Sequence, residues 1–191
     1  MKDKGFNPSS AINLVSTCRD EVCHSFTEKL DGKWGEPHFS IASLGGMVFC
    51  GKTGFGAGMA HSPIVGGKER YVFWVGPHIA CGTTGCVGEI FRPGRDRISH
   101  ACGALLALQK QIESGKLSME LNPVDIEMSL LRQSVLSKLR YGQQPNLVDI
   151  TYVAHDVILD QVRETAKAAA GTHSERVCSL AHYTHVPGPA C

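Results

Sequence analysis

Cysteine and histidine are the residue types in this sequence with the clearest capacity for chemistry. The chain has eight cysteines and nine histidines in 191 residues. Thiolate sulfur and imidazole nitrogen are ligands that suit Zn²⁺. No dense disulfide-type spacing is present, so we interpret the thiols as reduced, some buried as small apolar residues and a few binding metal. A small disulfide between Cys81 and Cys86 is the less favoured alternative. The cysteines are Cys18, Cys23, Cys50, Cys81, Cys86, Cys102, Cys178 and Cys191.

Three separate segments offer a ligand near the end or start of a predicted element. Cys18 stands two residues before Asp20, His78 follows the most apolar predicted strand, and Cys102 opens a predicted helix. A helix N-terminus favours a thiolate, and three protein ligands leave a fourth position for water, as in catalytic zinc sites. Each residue taken singly is more often part of a core than a ligand. Spacing alone therefore leaves other sets open, involving Cys50, His61, Cys81, Cys86 or His100.

The sequence also contains a match to a phosphate-binding motif, which would suggest a nucleotide hydrolase instead. Residues 46–53 match the pattern GxxxxGK[ST] letter for letter. A functional phosphate loop joins a buried strand to a helix whose N-terminal amides hold the phosphates. The apolar residues 47–50 predict a strand, and the glycines after Thr53 disfavour a helix, at about 1 kcal/mol each. We therefore predict that the match is coincidental and that the backbone packs closely here.

The remaining pattern predicts one α/β domain spanning residues 1–191. The predicted helices cover residues 8–30, 101–115, 126–139 and 150–170, and the predicted strands cover residues 39–44, 47–50, 71–75, 87–91 and 177–182. Net charge is +1, which gives no electrostatic case for nucleic acid or an anionic membrane as partner. No apolar run approaches the ~20 residues of a membrane span, and the first 15 residues lack an apolar signal core.

Five short segments, taken together and in order, resemble the limiting-CO2-inducible protein B family of theta-class, or beta-like, carbonic anhydrases. They are STCRDE, GGMVFCGKTGFGA, FWVGPHIA, VGEIFRPGR and ACGALLA, and the likeness is clearest over residues 13–108. The resemblance implies a homodimeric zinc enzyme with a mixed, largely parallel central sheet flanked by helices. It implies reversible hydration of CO2 to bicarbonate, as part of CO2 concentration in cytoplasm or chloroplast stroma. The glycine-rich segment belongs to this pattern, which supports the rejection of the phosphate loop.

The resemblance also assigns roles to residues. Cys18, His78 and Cys102 would hold zinc and its bound hydroxide, and Asp20 would orient that hydroxide. The beta-class motif Cys-x-Asp-x-Arg is broken here, because Val22 stands where the arginine is expected. Arg92 is our candidate for the missing partner of Asp20, since Arg19 is too close along the chain to pair well.

Further expectations concern the surroundings of the site and the alternatives to it. Phe49, Phe55 and Val75 could line an apolar CO2 pocket, and His24 or His61 could carry protons. The main alternative is a non-catalytic zinc-containing member of the family that acts as a binding or assembly protein. A structural zinc module with four protein ligands is another. A deaminase-like enzyme is disfavoured, because its His-x-Glu and Pro-Cys-x-x-Cys motifs are absent.

Overall fold

The computed structural model describes residues 5–82, 85–169 and 176–182, the last as backbone only. Its centre is a sheet of four parallel strands in the order β2-β1-β4-β7, with the short β3 antiparallel to β4. A separate antiparallel pair is formed by β5 and β6. The strands are β1 Ile12–Ser16, β2 Phe39–Ser40, β3 Ile64–Val65, β4 Lys68–Val75, β5 Glu89–Ile90, β6 Ser99–His100 and β7 Arg176–His182.

Helices cover both faces of this sheet, because its strands alternate their apolar side chains. Leu14 and Phe73 belong to the main core, whereas Val72 belongs to a second cluster with Phe6. Buried side chains of α2, α3, α4 and α5 complete the main core, and Trp34 of α1 packs on the second cluster. The helices are α1 His24–Trp34, α2 Gly51–Met59, α3 Gly103–Glu113, α4 Ile126–Leu136 and α5 Leu147–Ala169. No helix among the described residues is long and apolar enough to cross a membrane.

The predicted helix over residues 8–30 is wrong in its first half. Ile12–Ser16 forms β1, and a 3-10 turn at Glu21–Cys23 precedes α1, which begins only at His24. Pairing with β4 decides the conformation, because five consecutive residues of β1 pair in parallel with Tyr71 to Val75. That pairing is distant along the chain, so it is invisible to the local spacing of apolar residues.

The predictions for residues 39–50 and for the following glycines are also partly wrong. Only Phe39–Ser40 is a strand, and the glycine-rich Gly51–Met59 is a helix. A Cβ on Gly58 would lie 2.5 Å from Leu14 Cδ2, so glycine lets α2 pack closely on β1. This packing offsets the low helix propensity. The rejection of the phosphate motif stays a prediction; within the motif, the Val48 amide donates to Gln161 Oε1 at 2.9 Å.

Elsewhere the predicted elements are confirmed with small shifts in their ends. The apolar run at residues 71–75 lies in β4, and the prediction at residues 87–91 corresponds to the shorter β5. The three later helices correspond to α3, α4 and α5, with residue 170 outside the described residues, and residues 177–182 lie in β7. The extent of a single domain over residues 1–191 stays a prediction.

Candidate metal centre

The carboxyl ends of β1 and β4 bring the first two candidate ligands together. Ser16 and Val75, the last residues of these strands, are paired in parallel register. Cys18 follows two residues after one strand end, and His78 follows three residues after the other. Loops at the carboxyl ends of neighbouring parallel strands share one edge of the sheet, which is the usual position of ligand sites in such folds.

Backbone hydrogen bonds bring the third candidate ligand to the same edge. The Ala80 amide donates to the Ala101 carbonyl at 2.8 Å, and the Ala101 amide donates to the Gly88 carbonyl at 3.0 Å. The Gly88 amide closes the ring by donating to the Ala80 carbonyl at 2.6 Å. Cys102, the N-cap of α3, follows directly after Ala101. The ring therefore fixes the start of α3 beside the loop that carries His78.

The glycine-rich segment packs against the loop that carries His78 and against the end of β1. Gly46 has φ +79°, and a Cβ there would lie 2.2 Å from the Gly76 carbonyl oxygen. Only glycine permits this approach of one backbone to another. The buried Ser16 hydroxyl donates to the Met47 carbonyl at 2.9 Å, which ties the same segment to the end of β1.

Cys18, His78 and Cys102 form a compact group whose geometry fits a metal ion. One ligand atom from each lies within 4.8 Å of the others, and the three residues are 7%, 2% and 1% exposed. The two sulfurs are 3.8 Å apart. Two sulfurs held tetrahedrally at about 2.3 Å from zinc would be separated by about 3.8 Å. Both ring nitrogens of His78 are buried without a hydrogen-bond partner among the described residues, so the imidazole is free to bind a cation.

The two thiols are arranged to share one proton. The hydrogen bond to Cys102 is the main cause that lowers the pKa of Cys18 to about 4, with His78 contributing in the same direction. The same hydrogen bond, together with burial, raises the pKa of Cys102 well above its ordinary value. Burial raises the pKa of the nearby Cys23 to about 12, which keeps that thiol neutral. The pair thus carries a negative charge that favours a cation.

Asp20 and Arg92 contact each other beside this group. Arg92 Nη2 lies 2.8 Å from Asp20 Oδ1, and Asp20 Oδ2 lies 3.9 Å from His78 Nε2. The Val22 amide also donates to Asp20 Oδ1, at 3.3 Å. Arg92 makes a second ion pair through Nε with Glu21 Oε1. The structure therefore places the sequence-derived pair, Asp20 and Arg92, in direct contact next to the three candidate ligand residues.

Burial and neighbouring charges act on these acidic groups in opposite directions. Burial is the main cause that raises the pKa of Asp20, and the adjacent Glu21 carboxyl adds to it. The Val22 amide, His78 and Arg92 oppose that rise. The hydrogen bond from Arg92 lowers the pKa of Glu21 to about 2. Arg92 thus supplies the countercharge for two neighbouring carboxyl groups.

Arg19 is directed away from the site, as its position next to Asp20 suggested. Its guanidinium donates to both carboxylate oxygens of Glu127 on α4, at 3.0 and 2.7 Å. Glu127 also accepts the Leu44 amide at 2.9 Å. One carboxylate therefore ties the loop of Cys18 to the segment that precedes Gly46.

A cleft of about 520 Å³ opens from the site toward α1 and β2. Cys18, Asp20, Glu21, His24 and His38 are among the residues that line it. Phe49, Phe55 and Val75, the expected lining of an apolar CO2 pocket, do not line this cleft. Phe55 and Val75 are buried in the main core, where Phe55 stacks on Phe73 at 5.1 Å between centroids, and Phe49 packs against that core.

The other candidate metal and proton-carrying residues lie apart from the three ligands. His61 packs edge-on against Phe39 with centroids 5.4 Å apart, and His100 offers Arg92 its backbone carbonyl. Cys50, Cys81 and Cys86 are free thiols, so the alternative disulfide is not formed. Among the described residues no second group of three metal-ligating side chains is found. Cys178 is described only as backbone of β7, and Cys191 lies outside the described residues.

Sequence reasoning missed three residues that shape the site. Glu21 holds Arg92, Glu127 holds Arg19, and His38 in the cleft wall bonds Asp31 through Nδ1 at 2.8 Å. The signal for Glu21 was its place beside Asp20 in a motif that lacks its own arginine. Glu127 and His38 carried no such signal, since their contacts depend on how distant elements pack.

Comparison with known proteins identifies the family. Residues 1–181 match the family described as limiting CO2-inducible proteins B/C beta carbonic anhydrases. The chain belongs to this family. The match confirms the resemblance stated from the five sequence segments.

Solved structures of family members confirm the predicted α/β fold with its mixed, mostly parallel sheet. The crystal structure of limiting CO2-inducible protein LCIB is 27% identical, with TM-score 0.70 over 97% of this chain and 77% of that one. PtLCIB4, described as a homolog of LCIB, is 21% identical, with TM-score 0.70 over 96% of this chain and 78% of that one. No curated protein matches the chain significantly.

Proposed function

We propose that the chain is a zinc-dependent carbonic anhydrase that interconverts CO2 and bicarbonate. One observation carries the proposal. A buried group of two thiols and one unpartnered imidazole, Cys18, His78 and Cys102, lies beside a carboxylate paired with an arginine. Membership of a family of beta carbonic anhydrases gives this arrangement its chemical interpretation.

Each of the three inner side chains would contribute a ligand atom. Zinc, when bound, lowers the pKa of a coordinated water to about 7, which makes a nucleophile available at neutral pH. Cys18 and Cys102 supply sulfur, and the neutral imidazole of His78 supplies nitrogen. The group that could hold a metal among the described residues has three members, which would leave one position for solvent or substrate.

Asp20 is the residue that orients the reacting water. Its Oδ2 is 3.9 Å from His78 Nε2, so a water molecule near the three ligands is within reach of this carboxylate. An ionised carboxylate only accepts hydrogen bonds, and it therefore turns a water lone pair away from itself toward CO2. Arg92 favours the ionised form of Asp20, against the rise in its pKa that burial causes, and fixes the direction of the carboxylate. CO2 enters and the released proton leaves through the cleft that Asp20 lines.

A homodimer in cytoplasm or chloroplast stroma, serving CO2 concentration, completes the proposal. Phe91 is 72% exposed and Ile98 is 52% exposed, and both lie in the same connection as Arg92. Apolar side chains exposed this close to a site favour a second copy of the chain as their cover.

Stopped-flow CO2 hydration tests the proposal in protein that carries one zinc per chain. We expect a zinc-dependent rate that disappears on metal removal and returns on zinc addition. Cys102→Ser should lose both zinc and rate. Cys50→Ser is the matched control, because Cys50 is a half-buried thiol outside the ligand group, and it should keep both. A background rate in zinc-loaded wild-type protein would overturn the proposal.

The second candidate is a zinc-containing binding or assembly protein without turnover. Exposed apolar side chains in the connection between α3 and α4 favour it, with Met119 at 54% and Val124 at 94% exposure. Bound zinc without any zinc-dependent rate is the result that this candidate predicts.

A further inference from the structure

The Arg92 guanidinium is held on three sides, by the two adjacent acidic residues Asp20 and Glu21 and by the backbone carbonyl of His100. Nη2 donates to Asp20 at 2.8 Å, and Nη1 donates to the His100 carbonyl at 3.0 Å. Nε donates to Glu21 Oε1. Every nitrogen of the guanidinium therefore has an acceptor, and only one of the three bonds is made to Asp20 itself.

Arg92 needs these additional contacts because it comes from a distant part of the chain. It lies 72 positions from Asp20, in the connection between β5 and β6, whereas Val22 occupies the nearby motif position. A long arginine side chain has about 2 kcal/mol of rotamer entropy to lose. One hydrogen bond at the partly solvated edge of a site offsets little of that cost. The contacts with His100 and Glu21 add two further acceptors that restrict the same side chain.

We propose that Glu21 is a positioning residue, whose carboxylate fixes Arg92 Nε so that Nη2 stays against Asp20. The role rests on the proposed function, since Asp20 matters there through the water it orients. Glu21 is 68% exposed and Asp20 is 12% exposed, so Glu21 holds the outer side of the guanidinium and Asp20 the inner side. The broken motif is thereby completed by two residues, one supplying the arginine and the other holding it.

A double-mutant cycle separates this role from a general structural one. Glu21→Ala should lower kcat/KM roughly fivefold, in line with the upper end for an exposed ion pair. In an Arg92→Ala background the same change should have no further effect, because the residue through which Glu21 acts is gone. Glu36→Ala, at an exposed glutamate just after α1, should leave kcat/KM unchanged. An equal loss in both backgrounds, or no loss in either, would overturn the proposal.

Nuclear magnetic resonance of arginine side-chain N–H groups gives a readout that needs no turnover. In zinc-loaded protein, Arg92 Nε–H should give a slowly exchanging signal that Glu21→Ala abolishes and Glu36→Ala preserves. Retention of that signal in Glu21→Ala would overturn the positioning role. If the wild-type protein had no zinc-dependent rate, the proposed function would fail, and this signal alone would decide whether Glu21 holds Arg92.

Discussion

The two halves of the site differ in how far the protein satisfies their polar atoms. The inner group, formed by Cys18, His78 and Cys102, is almost fully buried, and its imidazole has no hydrogen-bond partner among the described residues. The outer group, formed by Asp20, Glu21 and Arg92, is partly exposed, and its side chains pair with one another. A buried polar group without a partner costs about 1–3 kcal/mol, so the inner group is incomplete without a ligand.

This difference separates two tasks within one site. In the proposed function the inner group receives a cation, because its two sulfurs and its imidazole place their ligand atoms within 4.8 Å of one another. The outer group is complete without the cation, so it can fix the direction of a carboxylate before any ligand arrives. Such preorganised groups stabilise developing charge without reorganisation during the reaction. Substitutions in the inner group should therefore change thiol ionisation and zinc binding, whereas substitutions in the outer group should change turnover.

The largest effect is expected in the ionisation of the inner thiols in metal-free protein. The pKa of Cys18 is lowered from the ordinary 9.0 to about 4, chiefly by the hydrogen bond to Cys102. Ultraviolet thiolate absorbance should therefore be present at neutral pH and should disappear only as the pH falls toward 4. Cys18→Ser should remove it, whereas Cys23→Ser should not, because the pKa of Cys23 is raised to about 12.

The same shift fixes the sign of a stability effect. Between pH 9 and about 4 the unfolded chain keeps the Cys18 proton that the folded chain has lost. The contribution of Cys18 to stability is therefore complete above pH 9 and declines as the pH falls toward 4. Thiolate absorbance that first appeared near pH 9 in the folded protein would contradict both expectations.

The next largest effect should come from the outer group and appear in turnover alone. Asp20→Asn keeps the shape of the side chain but removes the negative charge that Arg92 holds. We expect kcat/KM to fall about a hundredfold, the lower range for a residue that handles a proton or orients water. Zinc content per chain should stay at the wild-type value.

Asp160→Asn is a matched control for that substitution, since Asp160 pairs with Lys138 on the surface. It should alter neither rate nor zinc content. A loss of zinc in Asp20→Asn equal to the loss of rate would show that Asp20 is a ligand or a structural residue.

The sequence predicts the inner group better than the elements that carry it. The continuous apolar run of β4 and the helical spacing of α3 are local signals, and they place His78 and Cys102 correctly at a strand end and a helix start. Cys18 was a candidate because of its spacing from Asp20, and the family resemblance selected it among several possible ligands, although β1 before it was predicted as a helix. The choice of ligands thus did not depend on the secondary structure predicted for the preceding backbone.

The outer group was harder to predict because it depends on long-range contacts. Val22 showed that the local motif lacked its arginine, and Arg92 was the substitute inferred from another segment. The contact of Arg92 with Glu21 joins residues 71 positions apart, so no local pattern contains it. The prediction for α2 was wrong for a related reason. Its glycines are favoured by close contact with Leu14 of β1 and not by helix propensity.

The smallest effect, which tests the comparison most directly, concerns the stability change caused by His78→Leu. This change should have opposite signs in metal-free and zinc-saturated protein. His78→Leu replaces an unpartnered buried imidazole by an apolar side chain of similar length. In metal-free protein we expect the free energy of unfolding to rise by about 1 kcal/mol, because the removal of a buried unsatisfied polar group outweighs the loss of the favourable effect of His78 on the Cys18 thiolate. In zinc-saturated protein the same substitution should lower it, because a ligand is lost and with it the stabilisation that binding gives.

Thermal unfolding with and without zinc measures both signs, and His38→Leu is the control. His38 is bonded to Asp31 at 2.8 Å, so its replacement should destabilise the protein to the same extent in both states. If His78→Leu destabilised the metal-free protein as His38→Leu does, the imidazole would have a partner within the protein. The contrast between an incomplete inner group and a complete outer group would then be wrong, because the inner group would be satisfied without a cation.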